Sequence, residues 1–211
     1  MITSETSPDP AAAQAQGQTG GGGLAAPLDL EKIPQELKAR PQWVVWRQEV
    51  VEGRLTKVPY QPQKPQKKTS STNPDTWGTF EQAVRVAQNG FHGIGYVFSP
   101  QDDYAGVDVD RCRDPETGQL KYCAQVLSEY LASYQEVSPS ETGIHAIIKA
   151  QVPPGGNSKG LTCGSKIEMY SQGRYFTFTG HHLAGTTTTI EARQAELMVL
   201  HSEIFDFGTA G

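Results

Sequence analysis

Cysteine is scarce in this chain: Cys112, Cys123 and Cys163 are the only three, and no two of them form a C-x-x-C pair. An odd set without metal spacing argues against a disulfide framework and a zinc ribbon, and a reducing cytoplasm is the expected location. Long apolar runs are missing as well. No stretch approaches the roughly 20 residues that cross a bilayer, and the N-terminus lacks the basic start and apolar core of a secretory signal, so no membrane partner is expected. Positive charge is not in surplus either. A formal net charge of −5 excludes a protein that coats nucleic acid by charge alone, while leaving room for an enzyme that gathers acids around a metal. The apolar fraction is also low, at 36%, which implies that part of the chain lies outside the folded domain.

Residues 1 to 27 are where that part is expected. They are Ala, Gln, Gly, Thr, Ser and Pro ending in the run Gly20 to Gly23, too poor in apolar groups to offset their ordering entropy. Residues 28–204 read as one catalytic-sized domain, and 205–211 as a flexible end, the stub of a linker to a further domain. Inside the domain, helical and strand patterns alternate. Helices are expected at Leu30 to Arg40, Thr79 to Asn89 (capped by Asp75 or Thr76 and stopped by Gly90), Lys121 to Tyr134 and Ile190 to Ile204. Strands are expected at Trp43 to Trp46 and Thr56 to Tyr60, joined through Glu52-Gly53, then at Gly93 to Phe98, Tyr104 to Asp110, Gln135 to Ser138, His145 to Ala150, Lys166 to Tyr170 and Tyr175 to Thr179. Gln61 to Ser71 reads as a basic loop. The class is α+β, with sheets covered on one side by helices.

Three segments carry chemistry. In Gly106-Val107-Asp108-Val109-Asp110 the two acids, two apart on a strand, share one face, while Val107 and Val109 anchor the other. Two adjacent carboxylates repel unless a cation neutralises them, and hard oxygen ligands suit Mg²⁺ or Mn²⁺. A solvated strand end explains the same pattern. Ser138-Pro139-Ser140-Glu141-Thr142-Gly143-Ile144-His145 is a small-residue turn opening a strand with a His. Such turns present backbone N–H groups to phosphate, and an ordinary hairpin is the plain alternative. In Lys166 to Tyr170 the acid Glu168 points away from Ile167 and Met169, and Arg174 follows the glycine turn Ser171-Gln172-Gly173, placed to meet a phosphate bidentately. Cys112, two residues beyond Asp110, has no partner at metal spacing and reads as a small side chain.

Together these segments resemble the archaeo-eukaryotic primase superfamily, and within it the bifunctional primase-polymerase domains of phages, plasmids and prophages. The D-x-D strand is Asp108 and Asp110, the His element ends at His145, the later acid is Glu168, and Gly173-Arg174-Tyr175 resembles the strand that follows it. Gln42 to Trp46, Lys57 to Tyr60 and Ser70 to Pro74 are similar as well. One departure is Gly143, which stands where the superfamily has a small polar residue, so that contact with phosphate there falls to the backbone beside Ser140.

The resemblance implies an RRM-like palm sheet with helices, joined to a smaller N-terminal α/β unit, with the site between them. It implies Asp108, Asp110 and Glu168 as ligands of two divalent ions, and His145, Arg174 and Lys57 as contacts to the triphosphate. Tyr175 would face the sugar. The implied partners are a single-stranded DNA template, NTP or dNTP, and a helicase domain or protein. The basic loop with Lys64, Lys67 and Lys68 is a candidate template contact, and Trp43 and Trp46 read as packing residues. The lack of a His-x-His pair speaks against a relaxase-type nuclease, since His181 and His182 are adjacent. A non-catalytic DNA- or helicase-binding domain is the remaining rival, and the costly acidic set speaks against it.

Overall fold

The computed structural model describes residues 27–206. Residues 1–26 and 207–211, where most of the expected tail and end fall, lie outside them. Two antiparallel five-stranded sheets with few helices make up the described residues, an α+β arrangement.

The chain enters through a single 3₁₀ turn, Leu30–Lys32, and the short helix α1, Gln35–Lys38. One continuous helix over Leu30 to Arg40 does not form. Pro34 lacks the amide proton a helix needs and forces the residue before it out of the helical region, and Ile33 is extended at ψ 131. The strands β1 (Trp43–Val51) and β2 (Arg54–Gln61) follow as a hairpin, turned by Glu52 and Gly53 at positive φ. The expected loop after it is instead a third strand, β3 (Lys64–Lys68), paired through Tyr60–Lys68 and Gln61–Lys64. Edge position explains it: there Pro65 needs no ladder partner and the lysines face water.

Asn73 and Pro74 then start a separate 3₁₀ turn, Pro74–Thr76. Helix α2 (Phe80–Ala87) is therefore capped by Thr79, not by Asp75 or Thr76, in a reciprocal box with Gln82. Next come β4 (Gly93–Phe98), β5 (Tyr104–Asp110) and α3 (Tyr122–Leu131). Helix α3 stops short of the expected Tyr134 because Ala132 turns left-handed at φ 38, and the Arg193 guanidinium donates to the freed carbonyls of Leu131 and Ala132. The remaining strands are β6 (Tyr134–Val137), β7 (Ile144–Lys149), β8 (Ser158–Gly160), β9 (Lys166–Tyr170) and β10 (Arg174–Phe178), before α4 (Gln194–His201). Residues 190–193 stay out of the helix because the Lys149 N–H donates to the Glu191 carbonyl and the Arg193 N–H to the Lys149 carbonyl. Ser202–Asp206 coils on beyond α4, and Phe205 packs on His201.

One sheet runs β10-β4-β1-β2-β3 and the other β6-β7-β5-β9-β8. Thus β4 and β5, neighbours in sequence, lie in different sheets, and β10 returns from the C-terminal half to the edge of the N-terminal sheet. The aromatic core between them centres on Trp43, fully buried, edge-on to Phe80, Tyr96 and Phe178 at 4.9, 5.4 and 5.4 Å. Truncating such a residue costs about 3–5 kcal/mol. A second core sets Val107, Val109, Ile167 and Met169 against Leu127 and Leu131 of α3 and Leu197 of α4. That fixes which face of β5 is left for Asp108 and Asp110.

Gly106 decides how closely the sheets meet: a Cβ there would lie 2.4 Å from Phe176 and 2.7 Å from Phe98. Trp43, Trp46 and Trp77 are all buried, as packing residues are. The expectation of unpaired cysteines fails. Cys123 at the start of α3 and Cys163 before β9 are joined in a disulfide, with Cα atoms 6.7 Å apart, and only Cys112 is free. Spacing along the chain carries no record of that approach, which the packing of α3 against the β8–β9 turn creates.

Candidate active site

Strand register builds the site. Across β5 and β9, Asp108 stands directly opposite Glu168, and across β5 and β7 it stands opposite His145. The row continues to Glu136 on β6 and Ser158 on β8. Five polar residues from five adjacent strands therefore form one line across the sheet, although they are scattered from 108 to 168 in the chain. Asp110, two residues on, shares the face and pairs in register with Lys166.

The three central members of this line, His145, Asp108 and Glu168, line a cavity of about 450 Å³ together with Lys57, Arg174 and Tyr175, whereas Asp110 is not among its lining residues. All six were expected from sequence. Thr69, Ser71, Pro59, Gly173, Phe176 and Thr177 complete it; Gly173 belongs to the motif named above, Pro59 and Ser71 lie in segments the resemblance covers, and Thr69 was not singled out. The segment from Thr69 to Trp77 is pinned in place: Ser71 Oγ donates to the Gly173 carbonyl at 2.8 Å, and Trp77 Nε1 to the Ser70 carbonyl at 2.7 Å. Ser140 and Gly143 do not line the cavity. A Cβ on Gly143 would meet the Val109 carbonyl at 2.8 Å, so this glycine serves close packing against β5, and Ser140 shares hydroxyl contacts with Ser138 and Thr142.

Asp108 is a strongly perturbed acid. One carboxylate oxygen, Oδ1, is buried without a hydrogen-bond partner. Burial pushes its carboxyl up to about 6; His145 opposes this, and Asp110 and Glu168 reinforce it. His145 is buried too, which alone would lower its pKa, yet the facing Asp108 and Glu136 carboxylates raise it. Its Nε2 lies 3.7 Å from Asp108 Oδ1. Lys57, half-buried beside Trp46, is pushed down by burial against the pull of Asp108 and Asp110. Glu168 is held by Lys166 in an ion pair, by Ser158 Oγ at 3.2 Å, and more loosely by Arg174 at 3.7 Å. Arg174 also lies over the Tyr170 ring, and Tyr175 donates its hydroxyl to the Lys57 carbonyl at 2.6 Å.

Among the described residues, no three His, Cys, Asp or Glu side chains are drawn together as a metal centre. The donor chemistry nevertheless fits a hard divalent cation: an orphaned, buried carboxylate oxygen lies beside a second carboxylate in register, with a third on the same face. An unpaired buried acceptor is costly, and a bound cation would offset that cost. Beside these acids the same cavity holds Lys57, Arg174 and His145, a set suited to a polyanion.

No model of a known protein family matches the chain. It is similar to the DNA primase-polymerase of Nitratiruptor phage NrS-1, 36% identical over 162 residues that cover 74% of this chain. The same alignment covers 22% of the phage protein, so the chain corresponds to a fraction of that relative's length. The chain is thereby related to a primase-polymerase. No helix among the described residues is long and apolar enough to cross a membrane.

Proposed function

We propose that this chain is a DNA-dependent nucleotidyltransferase, a primase, a polymerase or both, on an archaeo-eukaryotic primase fold. The observation that carries it is the register line His145–Asp108–Glu168 with its orphaned Oδ1, facing Lys57 and Arg174 across one cavity. The similarity to a phage primase-polymerase supports the same conclusion.

Asp108, Glu168 and Asp110 are the residues that would hold Mg²⁺ or Mn²⁺, two ions in full occupancy. Such ions, when bound, activate the attacking 3′-hydroxyl and offset charge on the leaving pyrophosphate. Lys57, Arg174 and His145 bind the triphosphate: Arg174 by its planar fork, Lys57 as a partly desolvated point charge, His145 through Nε2–H. A cation held by Glu168 would compete with its ion pair to Lys166. Tyr175, which lines the cavity, packs against Gly95 and bonds the Lys57 carbonyl, would face the sugar and influence ribose against deoxyribose choice. Tyr175→Ala with an unchanged NTP to dNTP ratio would remove that role. Single-stranded DNA is the template, and a helicase is a partner in replication of a mobile element.

The test is nucleotide incorporation on single-stranded DNA, with and without an annealed primer, in Mg²⁺ or Mn²⁺. Wild type is compared with Asp108→Ala/Asp110→Ala. Loss of product in the double variant supports the assignment. Absence of product from folded, DNA-binding wild type supports the non-catalytic alternative, which the Lys166–Glu168 pair favours.

A further inference from the structure

The buried acid behind His145 belongs to no motif. Glu136 is fully buried on β6 and is the direct register partner of His145. Its carboxylate accepts hydrogen bonds from Tyr134 Oη at 2.9 Å, Thr179 N at 2.9 Å and Gly180 N at 3.0 Å. Three donors make a buried carboxylate tolerable. They leave Oε1 directed at the imidazole as well, 3.6 Å from Nδ1.

That nitrogen is buried and has no hydrogen-bond partner, so closing the gap by a few tenths of an ångström would satisfy it. Phe176 confines the ring from the side, with centroids 5.3 Å apart. Among the described residues, Nδ1 has no other hydrogen-bond acceptor. An imidazole free to flip would present either edge to the cavity; an anion fixed behind one nitrogen makes the two edges unequal.

We propose that Glu136 is a positioning residue, which receives the Nδ1–H of His145 and thereby keeps the Nε2 edge turned to Asp108 and the cavity. It touches neither nucleotide nor metal and acts only through His145. The inference rests on the cavity being a nucleotide site, since that gives the Nε2 edge its task.

Two measurements test it. The first is steady-state incorporation by wild type, Glu136→Gln, His145→Ala and the double variant. Glu136→Gln raises nucleotide KM about tenfold with a smaller change in kcat, and the double variant is no worse than His145→Ala. Losses that multiply in the double variant overturn the proposal, because Glu136 would then act independently of the ring. The second is ¹⁵N NMR of histidine-labelled protein without nucleotide or metal, the His145 signals being identified from His145→Ala. Nδ1 carries a proton in wild type, and its resonance moves in Glu136→Gln; an unmoved resonance overturns the proposal.

If His145→Ala leaves incorporation intact, the nucleotide reading of His145 fails, while the NMR measurement still decides whether Glu136 holds the ring. Glu136→Asp keeps the charge but draws the carboxylate back from Nδ1. It carries both measurements if Glu136→Gln does not fold.

Discussion

Glu168 stands opposite Asp108 across the β5–β9 pair, 60 positions later in the chain yet its immediate neighbour on the sheet. The pair is held apart from full neutralisation: Lys166, Ser158 and Arg174 attend Glu168, while Asp108 Oδ1 has no hydrogen bond. That asymmetry has measurable consequences.

A divalent cation should stabilise the fold through Asp108. At a hundred times its dissociation constant, Mn²⁺ contributes about 2.7 kcal/mol, which raises Tm by several degrees. Asp108→Asn removes most of that rise. Differential scanning fluorimetry with and without Mn²⁺ measures it, and equal rises in both proteins would refute the ligand assignment.

Without metal, pH should act in the opposite sense to the usual carboxylate. The Asp108 carboxyl, raised by burial from 3.8 to about 6, holds its proton in the folded chain where the unfolded chain has lost it. Its contribution to stability is therefore full below the lower value and lost as pH rises through the upper one. In EDTA, the Tm of wild type relative to Asp108→Asn should fall from about pH 4 to about pH 7. A constant difference would contradict this.

Gly106→Ala forces a methyl into the buried rings of Phe176 and Phe98. Overpacking of this kind costs about 1–3 kcal/mol and should push the aromatic wall of the cavity outward. Urea denaturation gives the loss as a lower midpoint. An unchanged midpoint would show that the rings have room to give.

The Cys123–Cys163 bond closes a loop with a sequence separation of 40. Chain entropy assigns such a link roughly 4 kcal/mol, lost under reduction. Cys163→Ser should melt lower than wild type in oxidising buffer and equally in dithiothreitol. Identical melting in both buffers would mean that the bridge adds nothing.

Much of this was legible in the chain itself. Val107 and Val109 alternating with Asp108 and Asp110 assign the apolar face to the core and the acids to the other, because strand side chains alternate. Ile167, Glu168 and Met169 do the same, and Gly173 marks the turn that delivers Arg174. Local signals failed where two tendencies competed. Pro34 broke an otherwise helical stretch, and a basic segment became the edge strand β3 because pairing with β2 outweighed its polarity. The capping box of Thr79 and Gln82 prevailed over earlier candidates by offering two hydrogen bonds instead of one.

Sequence alone thus determined the residue chemistry and the face each acid occupies, since both follow from side-chain type and a period of two. Only the tertiary structure decided the register that aligns Glu136, His145, Asp108 and Glu168, the return of β10 to the first sheet, and the meeting of Cys123 with Cys163. Each depends on contacts between residues far apart in the chain, where a slip of one position would turn every side chain to the opposite face.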